Sequence, residues 1–216
     1  MHLTLYHGSE RVVPSPSLSE GRIHNDFGRG FYCTCDRERA MEWACSGGRN
    51  GFLNEYRLQA DGLRILDLTD DTHDTWDWIS LCVSNKIFDK SPESIAEESI
   101  GCILSEHPMD ISEKDVIIGH RADCSYHSML QAFLDNSMTL VTLERMLVSD
   151  DSETQIVLVS EKAFDNLSFV GFEPVDRKTY HGRWRGHDLE VRRSMVGEWR
   201  DTEPSGYIAS IKRCDP

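Results

Sequence analysis

Polar and apolar positions alternate from the start of the chain. "HLTLY" (2–6) places Leu3 and Leu5 on one side, the period of a half-buried strand, and "GFYCT" (30–34) is an aromatic run of the same kind. Between them, "RVVPSPSLSEGRIHNDFGRG" is rich in Pro, Ser and Gly and reads as a long loop. Loops of that length in compact domains often act as lids or binding loops. Asp36 then stands where it can cap "DRERAMEWACS", whose Ala40, Trp43 and Ala44 form a helical apolar stripe. "NEYRLQ" and "LRILDL" predict two strands turned at Asp61–Gly62, a hairpin signal.

Helical spacing returns in "HDTWDWISLCVSNK", through Trp76, Ile79 and Val83. It recurs in "SPESIAEESIGCILSE", with Pro92 in its first turn and Ile95, Ile100 and Ile103 as its stripe. "DVIIG" (115–119) and "TQIVLVS" (154–160) predict short buried strands. "SYHSMLQAFLD" and "TLVTLERMLVS" predict a helix pair, the second with Leu140, Leu143 and Leu147 inward. A short helix "EKAFDNL" and a strand "SFVGF" close this part. Strands and helices without regular βαβ alternation indicate an α+β fold.

Composition divides the chain near Gly171. Residues 177–200 carry seven Lys/Arg against three acids, which predicts a first unit over 1–170 and a basic C-terminal extension over 171–216, read as a hairpin plus a strand. Arg residues interleaved with Tyr180 and Trp184 suit either stacking on nucleobases or pairing with an acidic body. The whole chain of 216 residues has a formal charge of −14, which disfavours broad adhesion to nucleic acid or anionic membrane and leaves room for a local cationic groove. Neither a membrane-spanning run nor a signal peptide is expected, and the seven cysteines have no paired metal-ligand spacing, so structural thiols in the cytoplasm are the expectation. The histidines likewise lack ligand spacing, and no metal site is predicted. Neither GxGxxG nor a P-loop is present.

Candidate chemistry begins with "LYHGS", "DFGRGFYCT" and "ETQIVLVS". Taken alone, His7 in the first of these reads as a satisfied structural imidazole. The three segments together carry His7, Tyr32 and Gln155, each at a strand position that can face a common site. Their order and contexts resemble the His–Tyr–(Glu/Gln) branch of the ADP-ribosyltransferase superfamily, and "YHGS" looks like the opening of the poly-ADP-ribose polymerases. Most similar is an uncharacterised bacterial family that pairs "YHGS" with "DFGxGFYxT…A…WA", "DxxxGxRADDSYF" and "EQ(I/V)VLxSxxAF". Here those blocks fall at Tyr6–Ser9, Asp26–Thr34 with Ala40 to Ala44, Asp115–Tyr126 and Gln155–Phe164. Cys124 and His127 depart from it, standing where Asp and an aromatic residue are usual.

The resemblance implies split, mainly antiparallel sheets with flanking helices, an NAD cleft between them, and the 9–29 loop partly covering it. It also implies transfer of ADP-ribose from NAD to a macromolecular acceptor, protein in preference to nucleic acid, with release of nicotinamide. A bacterial toxin or effector controlled by a regulatory partner such as an antitoxin belongs to the same expectation. Tyr32 would stack on the cationic nicotinamide. His7, Gly8 and Ser9 would fix the dinucleotide, with the Gly8 backbone approaching the carboxamide. Asp26 would order the loop or face the acceptor. Arg29 would meet the pyrophosphate or remain a solvated cation. Gln155 would orient the reacting ribose, and Glu153 would serve the acceptor or stabilise charge, because an amide lacks the carboxylate that best supports an oxocarbenium-like state. Two alternatives stand beside transfer: an NAD glycohydrolase, and a catalytically weak NAD-binding or interaction module.

Overall fold

A computed structural model of the chain describes residues 1–89, 91, 94–122, 124–148 and 154–198. Seven strands form two sheets in it. The first is β1 (His2–Ser9), β3 (Gly51–Gln59) and β7 (Leu167–Val175), in the order β1-β3-β7 with both pairings antiparallel. The second is β2 (Phe31–Cys33), β6 (Thr154–Leu158), β5 (Val116–His120) and β4 (Ile65–Asp67), in the order β2-β6-β5-β4. Only β4–β5 is parallel in this sheet. The expected α+β class and split sheets are present.

Alternation along each strand decides what lies between the sheets. Leu5 of β1, Tyr56 and Leu58 of β3, and Phe31, Cys33, Ile156 and Leu158 of the second sheet make one shared buried cluster. The outer face of the second sheet packs Ile117 and Val157 against α2 (Thr75–Asn85), α3 (Ala96–Glu106), α4 (Cys124–Leu134) and α5 (Leu140–Val148). The outer face of the first packs Leu53 and Val175 against α1 (Arg37–Ala44), through Ala40, Met41 and Ala44. Capping follows side-chain chemistry: Asp36 accepts from the Arg39 amide at the start of α1, and Asp74 from the Trp76 and Asp77 amides at the start of α2. A short helix, α6 (Glu161–Asp165), precedes β7.

Three expectations change. The Asp61–Gly62 turn does not close a hairpin: β3 and β4 lie in different sheets, and β4 takes β5 as its partner. Turn chemistry reverses the chain locally, while burial of both strands' faces decides which sheet each joins. Ile95 precedes α3 and is exposed, and of that stripe Ile103 is the deeply buried member. The strand β7 continues through residue 170 to Val175, and residues 177–198 form one helix, α7 (Arg177–Glu198), where a hairpin and strand were expected. Two glycines disguise that helix. Gly182 and Gly186 lower its propensity, and neither has a heavy atom within 4 Å of an added Cβ. Docking compensates: Ser125 of α4 donates to the Asp188 carbonyl (3.1 Å), and Arg183 pairs with Glu38 of α1 (2.8 Å).

The two sheets touch at their edges through one backbone bridge. Tyr6 and Thr34 exchange amide-to-carbonyl bonds of 2.8 and 3.0 Å, joining β1 to the end of β2. Beyond that bridge the strands diverge, and the gap is the site described next.

Candidate active site

A cleft of about 510 Å³ opens where β1 and β2 part, within the range of small-molecule sites. His7, Gly8, Ser9, Asp26, Tyr32 and Gln155 all line it. The loop after β1 supplies a wall through Arg11, Pro16, Glu20 and Arg22. Arg29 is absent from the lining; it is exposed and donates to the Ser19 carbonyl (3.3 Å). Glu153 lies outside the described residues.

The His7 imidazole bonds the Tyr32 carbonyl through Nδ1 at 2.7 Å, and its ring tilts against Phe31 at 4.5 Å. Because a carbonyl only accepts, Nδ1 carries the proton. Burial holds the ring's pKa below its ordinary value, outweighing the bond to Tyr32, and nearby Arg11 lowers it further. The ring is therefore neutral at pH 7, with Nε2 as a hydrogen-bond acceptor.

Tyr32 spends its hydroxyl on the loop: it accepts from the Phe27 amide (3.0 Å) and donates to the Gly28 carbonyl (2.8 Å). Burial keeps the phenol far above its usual pKa, so it stays an O–H, and what Tyr32 offers the cleft is its ring. Gly28 makes the turn possible with φ +78°, a conformation that side chains with a Cβ rarely adopt. Gly8, which lines the cleft, also carries a packing task. A Cβ there would lie 1.8 Å from the Ala40 carbonyl oxygen and 2.6 Å from the Ala44 nitrogen, so its bare Cα lets β1 lie directly on α1.

Gln155 is buried in β6 and its Nε2 donates to Asp26 Oδ2 at 2.8 Å. The same oxygen accepts the Ala122 amide at 2.7 Å, and Oδ1 takes the Lys86 ammonium. Asp26 is thus a buried carboxylate with three donors around it.

Sequence reasoning missed several functional neighbours. Asn54 is fully buried and ties the corner together. Its Nδ2 donates to the His7 carbonyl (3.2 Å) and Ser9 Oγ (3.0 Å), while its Oδ1 accepts the Val13 amide (2.9 Å). A signal for it existed: Asn54 shares the parity of Tyr56 and Leu58, a polar residue on the buried face of a strand. Ser9 in turn donates to the Arg11 carbonyl (2.6 Å), so its hydroxyl shapes the corner. Lys86, just past α2, had no such signal. Arg121 lies 5.7 Å over the Trp43 ring, and both line the cleft with Trp184 of α7. The cationic lining of Arg11, Arg22, Lys86 and Arg121 against Glu20 and Asp26 is the local positive groove that the −14 total left room for.

A family model described as a protein of unknown function (DUF3990) matches residues 3–169. The chain belongs to the DUF3990 family. No curated protein and no solved structure matches it. The DUF3990 match includes each cleft residue discussed above except Trp184, which α7 brings from beyond it. The C-terminal segment therefore contributes a wall to the site. Its basic residues are partly engaged, Arg183 with Glu38 and Arg192 with Asp188 (2.9 Å). Among the described residues, no group of three or more His, Cys, Asp or Glu can hold a metal ion. No described helix is long and apolar enough to cross a membrane.

Proposed function

We propose that this DUF3990 protein is an NAD-dependent ADP-ribosyltransferase with an ADP-ribosyltransferase-like fold, acting on a macromolecular acceptor. The supporting observation is the convergence of His7, Tyr32 and Gln155 from β1, β2 and β6 onto one cleft. His7 Nε2 is a fixed acceptor for a ribose hydroxyl, because Nδ1 is committed to the Tyr32 carbonyl. The Tyr32 ring face suits a cationic nicotinamide and loses that attraction once the ring leaves as a neutral molecule. Arg11 and Arg22 offer charge to a pyrophosphate, replacing Arg29 in that role. Gln155 meets the reacting ribose.

In the proposed reaction the nicotinamide–ribose C–N bond breaks and its electron pair goes to the ring nitrogen. The acceptor's nucleophile bonds to the freed ribose carbon and yields its proton to solvent. These residues hold the dinucleotide so that the carbon is exposed, which is catalysis by positioning. Gln155 contributes a dipole where a carboxylate would contribute a charge, so a slow chemical step is expected.

Incubation of purified protein with labelled NAD and cell lysate tests the reading. Labelled macromolecule supports transfer; free ADP-ribose as the sole product makes the protein a glycohydrolase; bound but intact NAD makes it a binding module. Full NAD turnover by Tyr32→Ala places the site elsewhere.

A further inference from the structure

We propose that Asp26 is a positioning residue that fixes the direction of the Gln155 carboxamide, presenting its carbonyl rather than its NH2 group to the hydroxyls of the reacting ribose. This rests on the NAD reading above and deepens it.

The two ends of a carboxamide are nearly equal in size, so only the hydrogen-bond network sets its direction. Here the network is one-sided. Asp26 is buried with the Ala122 amide and the Lys86 ammonium directed at its oxygens, and a carboxylate so placed only accepts. It therefore takes the NH2 end of Gln155, at 2.8 Å, and Oε1 becomes the end left for a ligand. Both residues line the cleft, so the carbonyl is offered to a hydroxyl donor in it. Donation to a carboxylate also polarises the amide and raises the electron density on Oε1. Part of the charge that a glutamate would bring is recovered through Asp26, 129 positions away in sequence.

Replacement of Gln155 by glutamate separates this arrangement from a simple one. A glutamate there has no NH2 group to donate, so it would meet the Asp26 carboxylate oxygen against oxygen and lose its fixed direction. The titratable groups facing the pair are Lys86, Tyr32 of β2, Cys82 of α2 and His127 of α4. Burial holds the Tyr32 and Cys82 protons on and the His127 proton off.

With Gln155→Glu, NAD consumption should be read as kcat and KM. The expected result is a fall in kcat of about tenfold or more, with KM within about threefold of wild type. A kcat at or above wild type overturns the proposal. A second measurement is independent of turnover: nuclear magnetic resonance of the 15N-labelled Gln155 side chain. In the neutral variant Asp26→Leu/Lys86→Met, its NH2 protons should exchange with solvent about tenfold faster than in wild type. Unchanged exchange overturns the proposal. A wild-type protein that neither binds nor consumes NAD overturns the functional reading instead, and the exchange measurement still decides whether Asp26 holds Gln155.

Discussion

Gly8→Ala is a small substitution with a large expected effect. The added methyl carbon would lie 1.8 Å from the Ala40 carbonyl oxygen and 2.9 Å from its carbonyl carbon, both backbone atoms of α1. No rotamer change relieves contacts with backbone, so β1 and α1 must separate by more than an ångström at a seam now closed by Ala40, Ala44 and Leu53. Overpacking of this kind costs about 3 kcal/mol. For a chain of this size that corresponds to a fall in Tm of about 9 °C. Thermal unfolding followed by circular dichroism measures it, with Gly101→Ala as the comparison. Gly101 lies in α3 with no heavy atom within 4 Å of an added Cβ, so that variant should gain about 0.5–1 kcal/mol from helix propensity. A Gly8→Ala protein melting within about 2 °C of wild type refutes the reasoning and returns Gly8 to a purely ligand-facing role.

Asn54→Ala strands the buried Val13 amide and frees the corner after β1; a loss of about 3 kcal/mol in urea unfolding is expected, with weaker NAD binding by calorimetry. Tyr32→Phe keeps the ring but removes both bonds to the loop, so stability should fall by about 1–2 kcal/mol and KM for NAD should rise more than kcat falls. His7 and His127 both have pKa values lowered by burial from 6.5, so the unfolded chain binds their protons more readily. Their contribution to stability is complete above that pH and declines as pH falls below it. The urea midpoint should therefore drop between about pH 7 and 5, and His7→Gln should make that drop shallower. The lowered Asp115 carboxyl, bonded by the Arg64 amide, adds its own loss only as pH falls below 3.8.

Much of the secondary structure was legible because it depends on neighbours a few residues apart. The Asp36 cap, the Trp76–Val83 stripe and the alternation of "HLTLY" are each complete within one element. Helix α7 was not legible: its glycines and charges give a weak local pattern, and packing on α1, α4 and α5 makes up the difference. The site divided in the same way. His7, Tyr32 and Gln155 stood out only through the family resemblance that their three segments carry together, and they do share one cleft. Arg29 could not be told from Arg11 and Arg22, since all three are loop arginines and only the loop's path separates them.

By itself, the order of residues determined the α+β class, most elements and a short list of chemically apt side chains. Tertiary structure alone decided what those side chains do. Gly8 serves α1, Ser9 and the Tyr32 hydroxyl serve the loop, and Asp26, 129 positions from Gln155, sets the direction of its amide. The physical reason is range. Caps and periodicity act over one or two turns of chain, whereas hydrogen-bond partners and close approaches are chosen by segments that meet only when the sheets pack.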